Sequence, residues 1–579
     1  MILASSIHIK QRNMAALAAA LGLLAANIIL GAPSVLADAN AHNPERTQAS
    51  RTTQVELTQA QFGQAQHTQF AQLGTTAPQP GALPTPTAQA AIGIRQEIER
   101  WLLDILPPGS ANAETVKLNG QVVVEPFGER YAVTLPDLTV NLPNGFSIPF
   151  GTLTLSLRPE TPVTYAVAMR LPTKVTVIDQ AGDEVGLFEM GRQRLRGVWD
   201  TRFQTMTSLN LSVSDVEFRL RNEQSAMQLR FMLAGGTLES TGQADETFRL
   251  SGPSKLSLNE FELRDANGTR QQFFANMLAE FELRGLDMIN FNRFLRRFQG
   301  LAQAFIPSAS GDLPERETQD LLLKQLEREL VDLPAMLQDF GMAVKVTGLV
   351  GNNPETSRGY SVDDLEYTLL ARDLNTDVSR MQLTYSHKGF SFLPAFQGPG
   401  ITPGEISLEI DVEGIPNREL WATAVALPND MSVYGIQPAV NYAVEKIFHS
   451  LALANTSIEL KEAFVNSEEV DARISGSALF DNGAAYKGVG AANIRLIGMD
   501  ELVSRLTAST QNNPLEIGLL LGLRSLQNLG RVGDPIGGRT NREYDLRLDS
   551  RGSLQLNRQG FFDIIDVFLG RSDNDDDAG

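Results

Sequence analysis

The sequence predicts an α+β, β-rich fold in which two related, curved antiparallel sheets carry amphipathic helices packed on them. Three observations predict it. Most of the chain beyond residue 115 alternates apolar with polar residues and is punctuated by turn dipeptides such as Asn119-Gly120 and Asn267-Gly268. Stretches of helical period bracket these runs. The segment SVSDVEFRL, residues 212–220, returns 149 positions later as SVDDLEYTL, residues 361–369, with five of nine positions identical and the apolar ones kept.

The elements follow in order. Lys10 and Arg12 precede the apolar run MAALAAALGLLAANIIL, residues 14–30, and small residues follow at Val35, Ala37 and Ala39. This pattern predicts an export signal cleaved after Ala37 or Ala39; if retained, the run 14–30 would anchor the chain in the inner membrane. Residues 38–90 form a Gln/Thr/Pro-rich linker with too few aliphatic side chains for a core. Order is expected to begin at AIGIRQEIERWLLDILPPG, where Ile94, Ile98, Trp101, Leu102 and Ile105 recur at helical spacing and Pro107, Pro108 and Gly109 end the helix.

The period then changes to two. VKLNGQVVVE, YAVTLPDLTVNLPNGFSIPFGTLTLSLRPETPVTYAVAM and KVTVID read as strands, as do SDVEFRL, AMQLRFMLA, GTLESTG, SKLSLNEFELRD and AEFELRG. In SDVEFRL, Val216, Phe218 and Leu220 point one way while Asp215, Glu217 and Arg219 point the other. Two amphipathic helices follow, GLDMINFNRFLRRFQGLAQAFIP and the run from Pro314 that is interrupted near Pro334. SVDDLEYTL opens a second series, in which MQLTYSHKGFSFLP, GEISLEIDVEG and ELWATAVALP read as strands and QPAVNYAVEKIFHSLAL as a helix. The strands SIELKEAFVNS, VDARISGSALFDNG and GVGAANIRLIG, two helices and the hairpin YDLRLDSRGSLQLN complete it. The expected division is a first sheet-plus-helix unit at 91–346, a second at 347–570 and an acidic tail at 571–579. MQL recurs at Met227 and Met381, and each series ends in a glycine-led helix, so the two units read as an old duplication.

Several chemistries find little support. The chain of 579 residues has a formal charge of −19, which argues against a nucleic-acid partner. It has no cysteine, so no disulfide, thiolate nucleophile or cysteine-ligated metal is available. His387, beside Lys388-Gly389, and His449, one turn after Glu445, read as structural. KGVGAAN, residues 487–493, starts like a dinucleotide loop but has Asn where the third Gly belongs. The adjacent acids Asp183-Glu184, Asp363-Asp364 and Glu468-Glu469 face opposite sides of a strand, which leaves a carboxylate hydrolase as a remote reading. No catalytic residue, metal site or cofactor is assigned.

The candidate ligand-binding residues lie on the first of the two central helices. Phe291, Phe294, Leu295, Phe298, Leu301 and Phe305 share one stripe flanked by Arg293, Arg296 and Arg297. Such a stripe fits a lipid interface, or a core face packed on a sheet. Two classes of partner stay open, a lipid or membrane surface and an envelope protein bound through sheet edges.

SGSALFDNGAAYKGVGAANIRLIGMDELVSRL, residues 475–506, resembles the C-terminal signature of an uncharacterised family of proteobacterial envelope proteins. That family is a domain of unknown function, loosely similar to AsmA-like and YdgA-like periplasmic proteins. Gly476, Gly483, Gly488 and Gly498 meet its pattern of two glycine-marked strands and a short helix, and YDLRLDSRGSLQLN and LPDLTVNLPNGFSIPFGTLTLSLRP are similar to it in style. The resemblance covers roughly residues 115 to 570 and implies a periplasmic, non-enzymatic envelope protein with a loose expectation of lipid handling.

Overall fold

The computed structural model describes residues 85–560 apart from 106–115, 142–145, 204, 223–226, 246, 266, 267, 292, 295–320, 322, 326, 329, 332, 354–357, 395–401 and 510–513. The predicted export signal, nearly all of the predicted linker and the acidic tail lie outside these residues. The described residues divide into two compact units after Phe340, where the sequence suggested a boundary after 346. Among the described residues the strands of each unit pair antiparallel into an extended sheet.

The first unit opens with helix α1, Ala88–Ile105. Thr87 caps it, its hydroxyl accepting from the Ala90 N–H at 3.1 Å. Ala91 and Ile94 bury against Val122, Tyr131, Val133 and Leu157, as the helical spacing requires. Strands follow as β1 Val116–Asn119, β2 Val123–Phe127, β3 Arg130–Asn141, β4 Ser147–Pro159, β5 Thr164–Arg170, β6 Lys174–Ile178 and β7 Glu184–Glu189. The series goes on with β8 Gln193–Asp200, β9 Thr205–Asn222, β10 Met227–Thr241, β11 Gln243–Ala244, β12 Arg249–Arg264 and β13 Arg270–Asp287. Both β1 and β2 pair with β3, which pairs with β4. β5 and β6 lie in line along β4, while β7 and β8 lie in line along β9. β9, β10, β12 and β13 then pair in succession.

Strand length is where sequence and structure part. AMQLRFMLA and GTLESTG, separated by Gly235 in the sequence, are joined in one strand of 15 residues, Met227–Thr241. Gly236 does not break it because the strand pairs on both sides there, with Val213 and Leu258.

A seam of backbone reversals crosses the middle strands. Asp215 has φ +53° and Glu260 has φ +51°, the left-handed region that few non-glycine residues enter. The register places Asp215 opposite Ala234, and Ala234 opposite Glu260. The consequence is a switch of facing. Val213 and Val216 flank Asp215, and Leu258 and Phe261 flank Glu260; strict alternation would separate each pair, yet all four pack on the same core. Since β9 and β12, the two neighbours of β10, reverse at the same rung, pairing continues without slipping. On the adjacent strand pair, Gly191 N–H donates to Ser214 O at 3.0 Å and Ser214 N–H to Arg192 O at 2.9 Å. A side chain at Gly191 would meet Asp215, so the seam needs glycine there.

The core on this face joins Val140, Ile148, Val175, Val177, Phe188, Val216, Phe218 and Leu220 with flanking residues. Each such side chain stabilises the fold by about 2 kcal/mol when fully buried. Val216, Phe218 and Leu220 are all buried and Arg219 is exposed, as the alternation predicted.

The second unit contains β14 Asp339–Asn353, β15 Arg358–Arg372, β16 Val378–Lys388, β17 Ser391–Leu393 and β18 Pro403–Pro416. Helices α2, Asn417–Tyr434, and α3, Ile436–Leu453, precede β19 Ser457–Ser467, β20 Asp471–Phe480 and β21 Gly488–Ile497. Helices α4, Met499–Ser509, and α5, Pro514–Leu529, precede β22 Arg531–Ile536, β23 Arg539–Leu548, β24 Leu554–Leu556 and β25 Gln559–Gly560. Here ELWATAVALP is corrected, because it lies in α2 and not in a strand. Its alternation of Trp, Thr, Val and Leu with alanine mimics a strand, but three alanines in ten residues favour the helix. KGVGAAN is strand β21, paired on both sides with β20 and β23.

The start of α4 is tied to β23. Arg542 donates to both oxygens of Asp500, Nε to Oδ1 at 3.0 Å and Nη2 to Oδ2 at 2.8 Å, and Nη1 reaches Gly530 O at 3.2 Å. These bonds hold the Asp500 carboxyl below its ordinary range. Tyr544 donates to Leu526 O at 2.7 Å, and burial pushes its hydroxyl up to about 12. The sign of the pH effect follows. A depressed carboxyl pKa contributes stability that is present above the unfolded value of 3.8 and is lost as pH falls through the folded value. Arg542→Ala is therefore expected to cost about 2 kcal/mol at pH 7 and to flatten the acid limb of a Tm–pH profile. An unchanged acid limb in the variant would refute this role for the pair.

Candidate apolar ligand site

The stripe singled out in the sequence is only partly described. Asp287 caps a short helical turn, accepting from the Asn290 N–H at 3.0 Å. Phe291 is half-buried beside Leu250, Leu286 and Met288, and Phe294 is 7% exposed, with the two rings 6.3 Å apart. Both therefore sit in or against the core. Leu295, Phe298, Leu301 and Phe305 lie outside the described residues, as do Arg296 and Arg297.

The second unit carries a larger apolar surface that the sequence did not single out. On β15, β16, β18 and β19 the register aligns Leu369, Leu383, Ile410 and Leu460 in one rung. The adjoining rungs are Tyr367, Tyr385, Leu408 and Ala463, and Ala371, Met381, Val412 and Ile458. Alternation puts all of these on one face. Leu408 and Ala463 are buried, but Leu369, Leu383, Ile410 and Leu460 remain half-buried. The comparable face of the first unit is closed into a buried core, whereas here the same kind of face stays partly open.

The opposite face is polar. Gln382 Nε2 donates to Glu409 at 3.2 Å, and Lys461, standing at a register shift in β19, pairs with Glu409 and with Asp411 at 2.8 Å. Its hydrogen bonds to Asp411 and Glu409 raise the Lys461 pKa. Lys345 pairs with Glu366 on the same side.

An aromatic run borders the apolar rungs. Tyr367 lies 6.5 Å from Tyr385, Tyr385 6.4 Å from His387, His387 5.5 Å from Phe390, and Phe390 5.1 Å from Phe392. Burial lowers the His387 pKa, against a backbone hydrogen bond to Pro403 and the charge of Glu405, and so favours the neutral ring. Burial also raises the Tyr385 hydroxyl. His449 is exposed on α3.

The turn between α2 and α3 adds a second apolar feature. Gly435 has φ +85°, and around it Val433, Tyr434 and Ile436 are 59%, 66% and 67% exposed. The inner side of α3 is lined with small residues, Ala439, Ala443 and Ser450, which are buried. Larger residues, Tyr442 and Phe448, are exposed.

Among the described residues no group of three or more His, Asp or Glu side chains is placed to hold a metal ion, and no helix is long and apolar enough to cross a membrane. Alternation revealed that the strands are two-faced. Which face would stay open depends on what covers it, and no local signal carries that. No protein-family model, curated protein or solved structure matches this chain.

Proposed function

We propose that the chain is a non-enzymatic, exported envelope protein that binds or shields an elongated apolar ligand, an acyl lipid, along the open rungs of the second unit. The observation that carries this reading is the half-buried rung of Leu369, Leu383, Ile410 and Leu460 beside the more covered Leu408 and Ala463. A row of aliphatic side chains across four strands offers an acyl chain contact along its length, and the charged opposite face cannot compete for it. The exposed Val433, Tyr434 and Ile436 at the α2–α3 turn would meet a lipid surface, where aromatic and aliphatic side chains partition favourably. The repeated strand segment fits a duplication in which one copy of the face has closed on itself and the other has stayed accessible.

Mass spectrometry of an organic extract tests this, using the mature protein purified from its native envelope without detergent. A stoichiometric lipid is expected, and Leu369→Asp combined with Ile410→Asp is expected to reduce its retention at least about tenfold, since each change puts a charge on the apolar contact. Equal retention in a folded double variant would refute the site. An empty extract together with one stoichiometric crosslinked protein would replace it with an assembly role through sheet edges.

A further inference from the structure

On the polar side of the first unit, a recess of about 690 Å³ opens over β3, β4, β5 and β8. Its shape follows from the register. One rung runs Ala132, Ser156, Ala168 and then Arg196, so three short side chains form a floor and a long one forms a wall. In the next rung Thr154 faces Arg170, and Arg194 occupies the following strand opposite Ser212. Arg130 closes the rim from the start of β3, its guanidinium 5.3 Å from the Phe127 ring centroid.

Four arginines thus surround one recess in a chain whose net charge is −19. Several other arginines of this unit are matched to acids. Arg219 pairs with Glu189 and Glu217, Arg230 with Glu217, and Arg264 and Arg270 with the buried Glu262. Arg130, Arg170, Arg194 and Arg196 form no ion pair with a carboxylate among the described residues, although Glu125 faces Ala132 from β2. All four side chains are exposed, so solvent screens their mutual repulsion, and an anion held among them would offset what remains. Guanidinium groups offer paired N–H donors that match the oxygens of phosphate. The volume falls within the range of small-molecule sites and exceeds what a lone oxyanion fills.

We propose that this recess binds a phosphate-type oxyanion, free or esterified to a polar carrier, gripped by Arg170 and Arg194 with Arg130 and Arg196 at the rim. The site lies in the first unit on a polar face, so it stands or falls separately from the apolar rungs of the second.

Calorimetric titration of the full mature chain tests it with three probes: inorganic phosphate, a sugar phosphate, and phosphatidylglycerol vesicles set against phosphatidylcholine vesicles. Saturable binding that weakens with added salt is expected for at least one probe. Arg170→Gln combined with Arg194→Gln is expected to weaken it at least about tenfold, whereas Arg219→Gln leaves it unchanged. Binding to phosphatidylglycerol vesicles alone would identify a lipid headgroup, preference for the sugar phosphate a soluble ester, and equal binding of inorganic phosphate the free oxyanion. Relief of repulsion also predicts that the double variant melts no lower than the parent in phosphate-free buffer, an outcome that a purely structural cluster would reverse. No saturable binding by any probe, or undiminished binding in the folded double variant, would overturn the proposal.

Discussion

Deleting Asp215 is expected to prevent the first unit from folding, an effect far larger than any conservative substitution at that position. The residue is a spacer with φ +53°, and it lets Val213 and Val216 reach the same core. Without it, residues 216–222 move by one rung relative to β7 and β10. Val216, Phe218 and Leu220 would then lose the rungs on which they meet β7 and β10, and with them their places in the core. Three buried side chains at about 2 kcal/mol each approach the whole stability of an ordinary domain. Asp215→Asn provides the control, because asparagine tolerates the left-handed region and should stay within about 1 kcal/mol of the parent. Denaturant unfolding and soluble yield of the deletion against Asp215→Asn would decide. A soluble, cooperatively unfolding deletion variant would show that the seam does not set the facing.

The second large effect is expected from one methyl group. Gly252 stands at a register shift between β12 and β13, and a Cβ there would run into the backbone carbonyl of Thr241. Backbone cannot swing aside as a long side chain can, so Gly252→Ala must push β10 and β12 apart or abandon the local pairing. A loss of about 3 kcal/mol is expected, at the upper end for overpacking. Gly268→Ala is the useful contrast. Its φ of +76° makes it strained, but nothing lies within 4 Å of the added atom, so about 1 kcal/mol is expected. Equal midpoints for the two variants would show that close approach at Gly252 is relaxed elsewhere.

The antiparallel character of the fold was legible because alternation and turn chemistry agree. Asn267-Gly268 reads as a tight turn, and Gly268 takes the positive φ that the turn needs. ELWATAVALP failed because alternate alanines satisfy both a strand pattern and a helix, and propensity outweighed period. The seam was invisible for another reason. Asp and Glu at positions 215 and 260 look like ordinary solvent-facing strand residues, and their backbone reversal is set by neighbours on other strands. For the site, the sequence drew attention to aromatic density in one helix. In the described part of that helix Phe294 is buried, whereas Leu369 and Ile410, ordinary strand residues by sequence, remain half-buried.

The order of pairing has a consequence for how the chain finds its fold. Strand β4 meets β3, β10 meets β9, β13 meets β12 and β16 meets β15, each joined to its partner by a few residues. The mean sequence separation across these ladders is therefore small for so large a β-structure, and the entropy of loop closure is met in short instalments. The longer excursions enclose local units, the β6–β7 hairpin between β5 and β8 and the helical pairs α2–α3 and α4–α5 between strands that later pair. Within each unit the ladder can therefore extend largely by adding strands that are near in sequence. A partly formed ladder of this kind leaves only its edge strands unpaired, so the hazard of mispairing is confined to those edges.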